Sequence, residues 1–276
     1  MNSRTISFGG GAVEVGSADP ACNRIVNFLF DLTQQDPNAS PHLRFDLEQD
    51  ENGQIEIICS DPNENRLASA SQATLYLMDR VCYHLADRAS TGAILHAAML
   101  SLDGKALIFP GASGSGKSTL AVWLARQGFV YASDELVHIP RLTVSAQGFT
   151  RPLHIKSTAA ALFPLPGGEA ILRLESFGDL PPAFLLHPRA VNTQMTTGML
   201  CIQAIVFPHF EAQADYALQP LSKAETTLRL AGCLINARNL PDHGFPEMIR
   251  LSRSLPGYTL TYGNFEQIGD SLHRLC

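Results

Sequence analysis

A glycine-rich turn that carries one lysine and one serine is the clearest chemical signature in this chain. Residues 111–118 read Gly-Ala-Ser-Gly-Ser-Gly-Lys-Ser and fit the P-loop pattern G-x-x-x-x-G-K-[ST]. Small residues in such a turn leave backbone N–H groups free to surround phosphate oxygens. Lys117 would reach the terminal phosphates, and the Ser118 hydroxyl would hold a Mg²⁺ ion. We therefore expect ATP with Mg²⁺, and the predicted nucleotide contacts are Gly111, Ala112, Ser113, Gly114, Ser115, Gly116, Lys117, Ser118 and Thr119.

The elements around this turn favour a bound ligand. Apolar residues 107–109 precede the turn as a predicted strand, and a helix is predicted from Lys117 until Gly128 ends it. Such a helix points its positive end at the same anion. A glycine-serine loop without a ligand is the alternative, and the strand-turn-helix context argues against it.

A histidine lies on the predicted strand before the turn. Residues 94–102 and 105–109 are apolar runs separated by Asp-Gly, the favoured two-residue hairpin turn. A tight turn there brings His96 opposite Gly111, at the mouth of the phosphate loop. His96 would then donate to a phosphate or tune a neighbouring acid, and a histidine satisfied within the core is the alternative.

Two adjacent carboxylates follow the next predicted strand. Residues 129–132 form a short buried strand that we expect to end at Ser133, with Asp134 and Glu135 directly after it. Because the carboxyl ends of neighbouring strands open onto one crevice, this acidic pair should face the phosphate loop. Together with Ser118, the pair could hold Mg²⁺, and one carboxylate could accept a proton from an attacking hydroxyl. A solvated acidic turn is the structural alternative.

Together these elements resemble a known family. Residues 95–139 are similar to the catalytic core of HPr kinase/phosphorylase and its relatives, which include lasso-peptide kinases. The shared features are a histidine before the P-loop, the P-loop itself, a glycine that ends its helix, and an acidic pair on the next strand. The resemblance implies transfer of the γ-phosphoryl group of ATP to a serine hydroxyl of a peptide or protein, with Asp134 as the base. The matching positions are His96, Lys117, Ser118, Asp134 and Glu135.

The chain departs from HPr kinase proper at two points. HPr kinase carries two aspartates where this chain has Asp134 and Glu135, and its later segment for the acceptor protein and for dephosphorylation has no counterpart here. Residues 149–156 look instead like the corresponding segment of HPr-kinase-related proteins. The resemblance therefore does not extend to HPr as the acceptor or to the phosphorylase activity.

The expected fold class is α/β, with a P-loop nucleotide-binding core of the HPr kinase / phosphoenolpyruvate carboxykinase type. We expect this kinase-like domain over residues 91–276 and a small amino-terminal α+β portion over residues 1–90. The predicted elements of the amino-terminal portion are a helix from Pro20, a hairpin over 43–59 and a helix over 67–86. Beyond the acidic pair they are a strand over 148–156, a loop over 163–188 with a short segment at 170–177, a strand over 200–208, a helix from a capping box at Ser222 toward Asn236, a strand over 258–262 and a helix over 265–275.

Three basic residues downstream are candidate contacts for phosphate or acceptor. Arg151 and Lys156 lie on the strand predicted over 148–156, and Arg189 follows a proline-rich and glycine-rich stretch. Cations there could neutralise charge in a dissociative transition state. Solvated surface positions are the alternative for each of them.

The composition of the chain argues against two classes of binding partner, nucleic acids and membranes. The 276-residue chain has a formal net charge of −6, which argues against an extended nucleic-acid surface. Its six cysteines are scattered without metal-ligand spacing, which favours free thiols in a reducing compartment. No stretch has the length of a membrane span and no signal segment is evident, so we expect a cytoplasmic protein without a membrane partner.

These patterns predict an ATP-dependent kinase acting on a Ser or Thr hydroxyl of a peptide or protein. A kinase for a small metabolite on the same core is one alternative, which the family's distant likeness to phosphoenolpyruvate carboxykinase permits. A module that binds ATP and reports it to a partner without chemistry is another. A homo-oligomer is compatible with the sequence.

Overall fold

The contacts within the chain divide it into two compact units. The computed structural model describes residues 2–17, 19–36, 38–160, 162, 164–165, 167–176, 181–191 and 194–276. The first unit comprises residues 1–88 and 151–190, and the second comprises residues 89–150 and 191–276. The predicted division into residues 1–90 and residues 91–276 stays a prediction. The assignment of residues 151–190 to the first unit was not part of the prediction.

The amino-terminal part of the first unit is a five-stranded sheet with two helices. Asp19 caps the first helix, because its side chain accepts a hydrogen bond from the Cys22 N–H. The helix predicted from Pro20 and the hairpin predicted over 43–59 are confirmed. The helix predicted from Leu67 begins three residues later, because residues 66–68 pair with the preceding strand. The sheet order is β1-β2-β3-β4-β5, and the elements are β1 (Asn2–Phe8), β2 (Gly11–Ser17), α1 (Pro20–Phe30), β3 (Leu43–Gln49), β4 (Ile55–Cys59), β5 (Arg66–Ala68) and α2 (Ala70–Arg88).

The first part of the second unit contains the glycine-rich turn. The hairpin of the first two strands has the predicted two-residue turn, with Leu102 paired to Lys105. Its strands are near-continuous apolar runs because they are buried within a sheet covered on both faces. The elements are β6 (Gly92–Leu102), β7 (Lys105–Pro110), α3 (Lys117–Arg126), β8 (Val130–Ser133), β9 (Leu136–Pro140) and β10 (Ser145–Gly148).

Residues 151–190 add a three-stranded antiparallel sheet to the first unit. The single strand predicted over 148–156 is wrong, because strand pairing stops at Gly148 and resumes at Leu153 in a different sheet. Pro152 lies in this gap and has no N–H to donate to a strand ladder. The predicted loop over 163–188 contains two strands, and residues 163, 166 and 177–180 of it lie outside the described residues. The elements are β11 (Leu153–Lys156), α4 (Ser157–Ala160), β12 (Ile171–Leu174) and β13 (Ala183–Leu186), in the sheet order β11-β13-β12.

The remaining residues complete the second unit. The capping box is confirmed, because Ser222 and Glu225 exchange side-chain and backbone hydrogen bonds, but its helix ends at Ala231 rather than near Asn236. The predicted carboxyl-terminal helix is shorter than expected, and the helix over residues 245–254 was not predicted. The elements are β14 (Leu200–Phe210), β15 (Ala217–Pro220), α5 (Lys223–Ala231), α6 (Phe245–Ser254), β16 (Gly257–Tyr262) and α7 (Ile268–His273).

One mixed sheet organises the second unit. Its strand order is β10-β9-β6-β7-β14-β16-β15, and β8 pairs with β6. Strands β7, β14 and β16 are parallel, whereas β6 runs antiparallel to β7, β8 and β9. The start of β14 also pairs with β10, where Ser145 faces Cys201. The chain is therefore a mixed α/β protein with several sheets.

A buried asparagine fastens the start of β6. The Asn236 amide donates to the carbonyls of Ala89 and Gly92, each at 2.9 Å, and its oxygen accepts from the Ile94 N–H at 2.8 Å. Loss of these hydrogen bonds from buried backbone groups is costly, although the Ala89 carbonyl also accepts from the Asn239 amide at 3.1 Å.

Two expectations about the whole chain can be compared with the structure. All six cysteines are free, as their spacing predicted. Over the described residues, no helix combines the length and apolar character that a membrane span needs.

Candidate functional site

The glycine-rich loop, residues 111–116, joins β7 to α3. Gly114 and Gly116 have φ angles of +86° and +94°, in the left-handed region that side chains other than glycine rarely adopt. A β-carbon at Gly111 would lie 2.6 Å from the Ser115 hydroxyl oxygen, so a larger residue would displace that side chain. The buried Ser115 hydroxyl has no hydrogen-bond partner among the described residues. The loop thus depends on glycine and holds an unsatisfied polar group.

Lys117 is the first residue of α3 and folds back over this loop. Its ammonium donates to the carbonyls of Gly111 at 2.8 Å and of Ala112 at 2.9 Å, and the residue is only 6% exposed. Burial lowers the pKa of Lys117, and the charges of Glu135 and Asp134 oppose that shift by favouring the ammonium form. The lysine therefore connects the loop electrostatically with the acidic pair.

The acidic pair interrupts a strand. Ser133, the last residue of β8, pairs with Met99, and Leu136, the first residue of β9, pairs with His96 on the same strand β6. The strand thus ends at Ser133, as expected, and a second strand that pairs with β6 begins two residues later, which was not predicted. The Ser133 hydroxyl accepts from the N–H groups of Glu135 and Leu136 and donates to the Leu136 carbonyl, which fixes the interruption.

The two carboxylates of the pair have different surroundings. Asp134 is 1% exposed, and its Oδ1 accepts a hydrogen bond from the Tyr131 hydroxyl at 3.1 Å. Glu135 is partly exposed, and its Oε1 lies 3.4 Å from Nε2 of His96. A buried, oriented carboxylate and a more accessible one can therefore perform different tasks.

His96 occupies the predicted register position. Ala97 pairs with Pro110, and the Gly111 N–H donates to the His96 carbonyl at 3.3 Å. The backbone of His96 thus touches the start of the loop, while its side chain faces Glu135. This contact favours the tuning of an acid among the two roles considered for His96.

The remaining residues predicted to contact nucleotide or metal lie in the first turn of α3. Ser118 and Thr119 lie half-buried in the first turn of α3. Over the described residues, no group of three or more His, Cys, Asp or Glu side chains is arranged to hold a metal ion. A Mg²⁺ site formed by Ser118, Asp134 and Glu135 stays a prediction that needs phosphate oxygens to complete it.

The three candidate basic residues belong to the first unit. Arg151 is buried and its Nη1 lies 3.0 Å from the Met78 sulfur. Lys156 is exposed at the end of β11, and Arg189 forms an ion pair with Asp31 at 3.1 Å. Their predicted contacts with phosphate or acceptor stay predictions.

Aromatic residues at the site were missed by the sequence analysis. Tyr131 contacts Asp134, and Phe210 and Tyr262 end β14 and β16 beside Gly116. Tyr262 ended a predicted strand, and Phe210 lay two residues beyond the predicted end of another, so the signal for both was their place near the carboxyl ends of strands, where ligands of α/β sheets bind.

The comparisons with known proteins point toward a kinase. A curated protein, the HPr kinase/phosphorylase of Alkaliphilus metalliredigens (strain QYMF), is 27% identical to this chain over 88 residues. The match spans 32% of this chain and 28% of the relative, so the chain covers less than a third of that protein's length. No protein-family model matches the chain. The similarity suggests the HPr kinase/phosphorylase family over a limited part of the chain.

Proposed function

We propose that this chain is a phosphotransferase that moves the γ-phosphoryl group of ATP to a Ser or Thr hydroxyl of a peptide or protein. The observation that carries the proposal is the link between the glycine-rich loop and the acidic pair: the Gly111 N–H donates to the His96 carbonyl, and the His96 side chain lies 3.4 Å from Glu135. The charges of Asp134 and Glu135 also favour the ammonium form of Lys117. The similarity to an HPr kinase/phosphorylase supports the same reaction class.

The glycine-rich loop fits phosphate in three respects. Its glycines allow close approach of the backbone, and the unsatisfied Ser115 hydroxyl offers a further polar group. The Lys117 ammonium already lies against the carbonyls of Gly111 and Ala112, so the cation is positioned before any phosphate arrives. The amino terminus of α3 adds a positive partial charge.

Oxygen ligands suited to Mg²⁺ are available beside the loop. The Ser118 hydroxyl and the carboxylates of Asp134 and Glu135 are the donor types that this hard cation prefers. When bound, Mg²⁺ would neutralise charge that develops on the phosphate oxygens.

We assign Asp134 as the general base that accepts the proton of the acceptor hydroxyl. The acceptor hydroxyl oxygen forms a bond to the γ-phosphorus while the bond from that phosphorus to the bridging oxygen breaks, and ADP leaves with the bonding electrons. The hydroxyl proton passes to the Asp134 carboxylate, which the Tyr131 hydroxyl orients through Oδ1. His96 contacts Glu135 and positions the second carboxylate.

The test replaces the proposed base without removing its shape. Asp134→Asn should lower the rate of transfer from γ-labelled ATP by about 10²- to 10⁴-fold, the range for a general base, while nucleotide binding stays close to wild type. Asp103→Asn is the matched control, because the same change is made in the hairpin turn at the opposite end of β7, where asparagine tolerates the φ of +50°. Equal loss of binding and transfer in Asp134→Asn, or undiminished transfer, would count against this role.

The acceptor class is tested in the same assay with a size-fractionated lysate. Label in a peptide or protein fraction supports the proposal. Label in a small metabolite supports a metabolite kinase on the same core, and binding without turnover supports an ATP-sensing module.

A further inference from the structure

Three parallel strands end at the same edge of the second unit. Strands β14 and β16 run parallel to β7, so their carboxyl ends lie on the side where the glycine-rich loop begins. The acidic pair lies across β6, on the other flank of β7. Ligands of open α/β sheets lie outside such strand ends, where the strand order reverses. A nucleotide with its phosphates in the loop therefore has β14 and β16 on the flank away from the carboxylates.

The last residues of these two strands are paired aromatics. Phe210 ends β14 opposite Tyr262, which ends β16. Their rings meet edge-to-face with centroids 5.5 Å apart. Tyr262 is 1% exposed, whereas Phe210 is 40% exposed. A buried ring thus supports a ring that remains open to solvent.

The supporting ring belongs to a larger aromatic cluster. The ring centroids of Tyr262 and Phe265 lie 5.6 Å apart. The Phe265 ring stacks on Trp123 of α3, with centroids 5.4 Å apart. Phe210 is therefore held by packing that extends to the helix after the loop, so its ring is positioned without a ligand.

Phe210 also lies directly beside the glycine-rich loop. A β-carbon placed on Gly116 would be 3.2 Å from Cβ of Phe210 and 2.7 Å from the Tyr262 hydroxyl. Gly116 precedes Lys117, so the Phe210 side chain begins beside the residue before the cation that we propose binds phosphate. Nucleobases stack on such aromatic rings, because every base presents a π-face.

We propose that Phe210 is the stacking platform for the base of the nucleotide whose phosphates occupy the glycine-rich loop. The inference rests on the proposed nucleotide-dependent function and adds a base-recognition residue to it. It assigns the ligand as a nucleoside triphosphate recognised partly through its base, rather than a polyphosphate recognised through charge alone.

The experiment compares ligands with and without a base. Calorimetric dissociation constants for ATP and for inorganic tripolyphosphate are measured on the wild-type protein, Phe210→Ala, Phe210→Trp and Phe245→Ala. Phe245 is the matched control, because it is a 45% exposed phenylalanine of the same unit that begins α6. We expect Phe210→Ala to weaken ATP binding about 10- to 100-fold and to leave tripolyphosphate binding unchanged. Phe210→Trp and Phe245→Ala should keep wild-type affinity for ATP.

The outcomes separate this inference from the function on which it rests. Equal weakening of both ligands in Phe210→Ala would mean that the residue only supports the loop, and would overturn the stacking role. Equal affinity of the wild-type protein for ATP and tripolyphosphate would overturn it as well, while leaving phosphate binding intact. If the wild-type protein bound neither ligand, the proposed function itself would fail.

Discussion

The contact between Gly116 and Tyr262 allows the packing beneath the glycine-rich loop to be measured. Gly116→Ala adds a β-carbon at a φ of +94°, where it would lie 2.7 Å from the Tyr262 hydroxyl oxygen. The left-handed backbone costs an alanine about 1–2 kcal/mol. Forcing the methyl group against a packed side chain adds about 1–3 kcal/mol. We therefore expect the free energy of unfolding to fall by about 2–5 kcal/mol.

A second glycine separates these two costs. Gly104, in the β6–β7 turn, has a φ of +78°, and a β-carbon there would meet no atom within 4 Å. Gly104→Ala should therefore report the backbone cost alone, about 1–2 kcal/mol. The difference between the free-energy losses of the two alanine variants is the cost of the contacts that the new methyl group makes with Tyr262 and Phe210.

Removal of the hydroxyl completes the test. The Tyr262 hydroxyl is buried, and no described residue is its hydrogen-bond partner, so Tyr262→Phe should not destabilise the protein. In the Gly116→Ala background the same change should recover about 1–2 kcal/mol, because the closest atom is gone. Urea unfolding followed by Trp123 fluorescence reports on this unit, since Trp123 is the single tryptophan and lies on α3. Equal destabilisation by Gly116→Ala and Gly104→Ala, or strict additivity with Tyr262→Phe, would refute the reasoning.

Two further predictions concern the stability of the same unit. Burial lowers the pKa of His138 from its ordinary 6.5 to about 4, so the unfolded chain binds this proton at a higher pH than the folded chain does. Between pH 6.5 and pH 4, the free energy of unfolding of the wild-type protein should therefore fall by about 3 kcal/mol more than that of His138→Gln. Urea unfolding across this pH range measures the difference. Asn236→Ala removes three hydrogen bonds to backbone groups near β6, of which the Ala89 carbonyl keeps another from Asn239, and should lower the free energy of unfolding by about 2–4 kcal/mol at neutral pH.

Both stability predictions have clear contrary results. Parallel pH profiles for the wild-type protein and His138→Gln would mean that this imidazole titrates alike in the folded and unfolded chain. For Asn236, the control is Asn264→Ala, because Asn264 is exposed. Equal losses of unfolding free energy in Asn236→Ala and Asn264→Ala would contradict the proposal that Asn236 stabilises the start of β6.

Local signals explain the parts of the site that the sequence predicted. The two-residue turn at 103–104 sets the register of β6 and β7, so the position of His96 opposite Gly111 follows from a few neighbouring residues. The capping box at Ser222 is equally local, because both of its hydrogen bonds lie within four residues.

Non-local pairing explains the parts that the sequence did not predict. The pairing of both β8 and β9 with β6 depends on a partner strand that is distant in the sequence, which no local pattern encodes. Likewise, the aromatic pair of Phe210 and Tyr262 exists only because two distant strands run parallel to each other. Secondary-structure patterns identify such strands but not their neighbours.

The pairing of β10 with β14 has a consequence for how this chain can vary. Residues 151–190 leave the second unit after β10 and return before β14, and these two strands are paired through Ser145 and Cys201. The Gln147 side chain also donates to the Thr197 carbonyl at 2.7 Å, close to the return point. The exit and the re-entry of the excursion are thus held side by side, as at the ends of an inserted domain. Insertions or deletions within residues 151–190 therefore need not move the strands that carry the glycine-rich loop and the carboxylates.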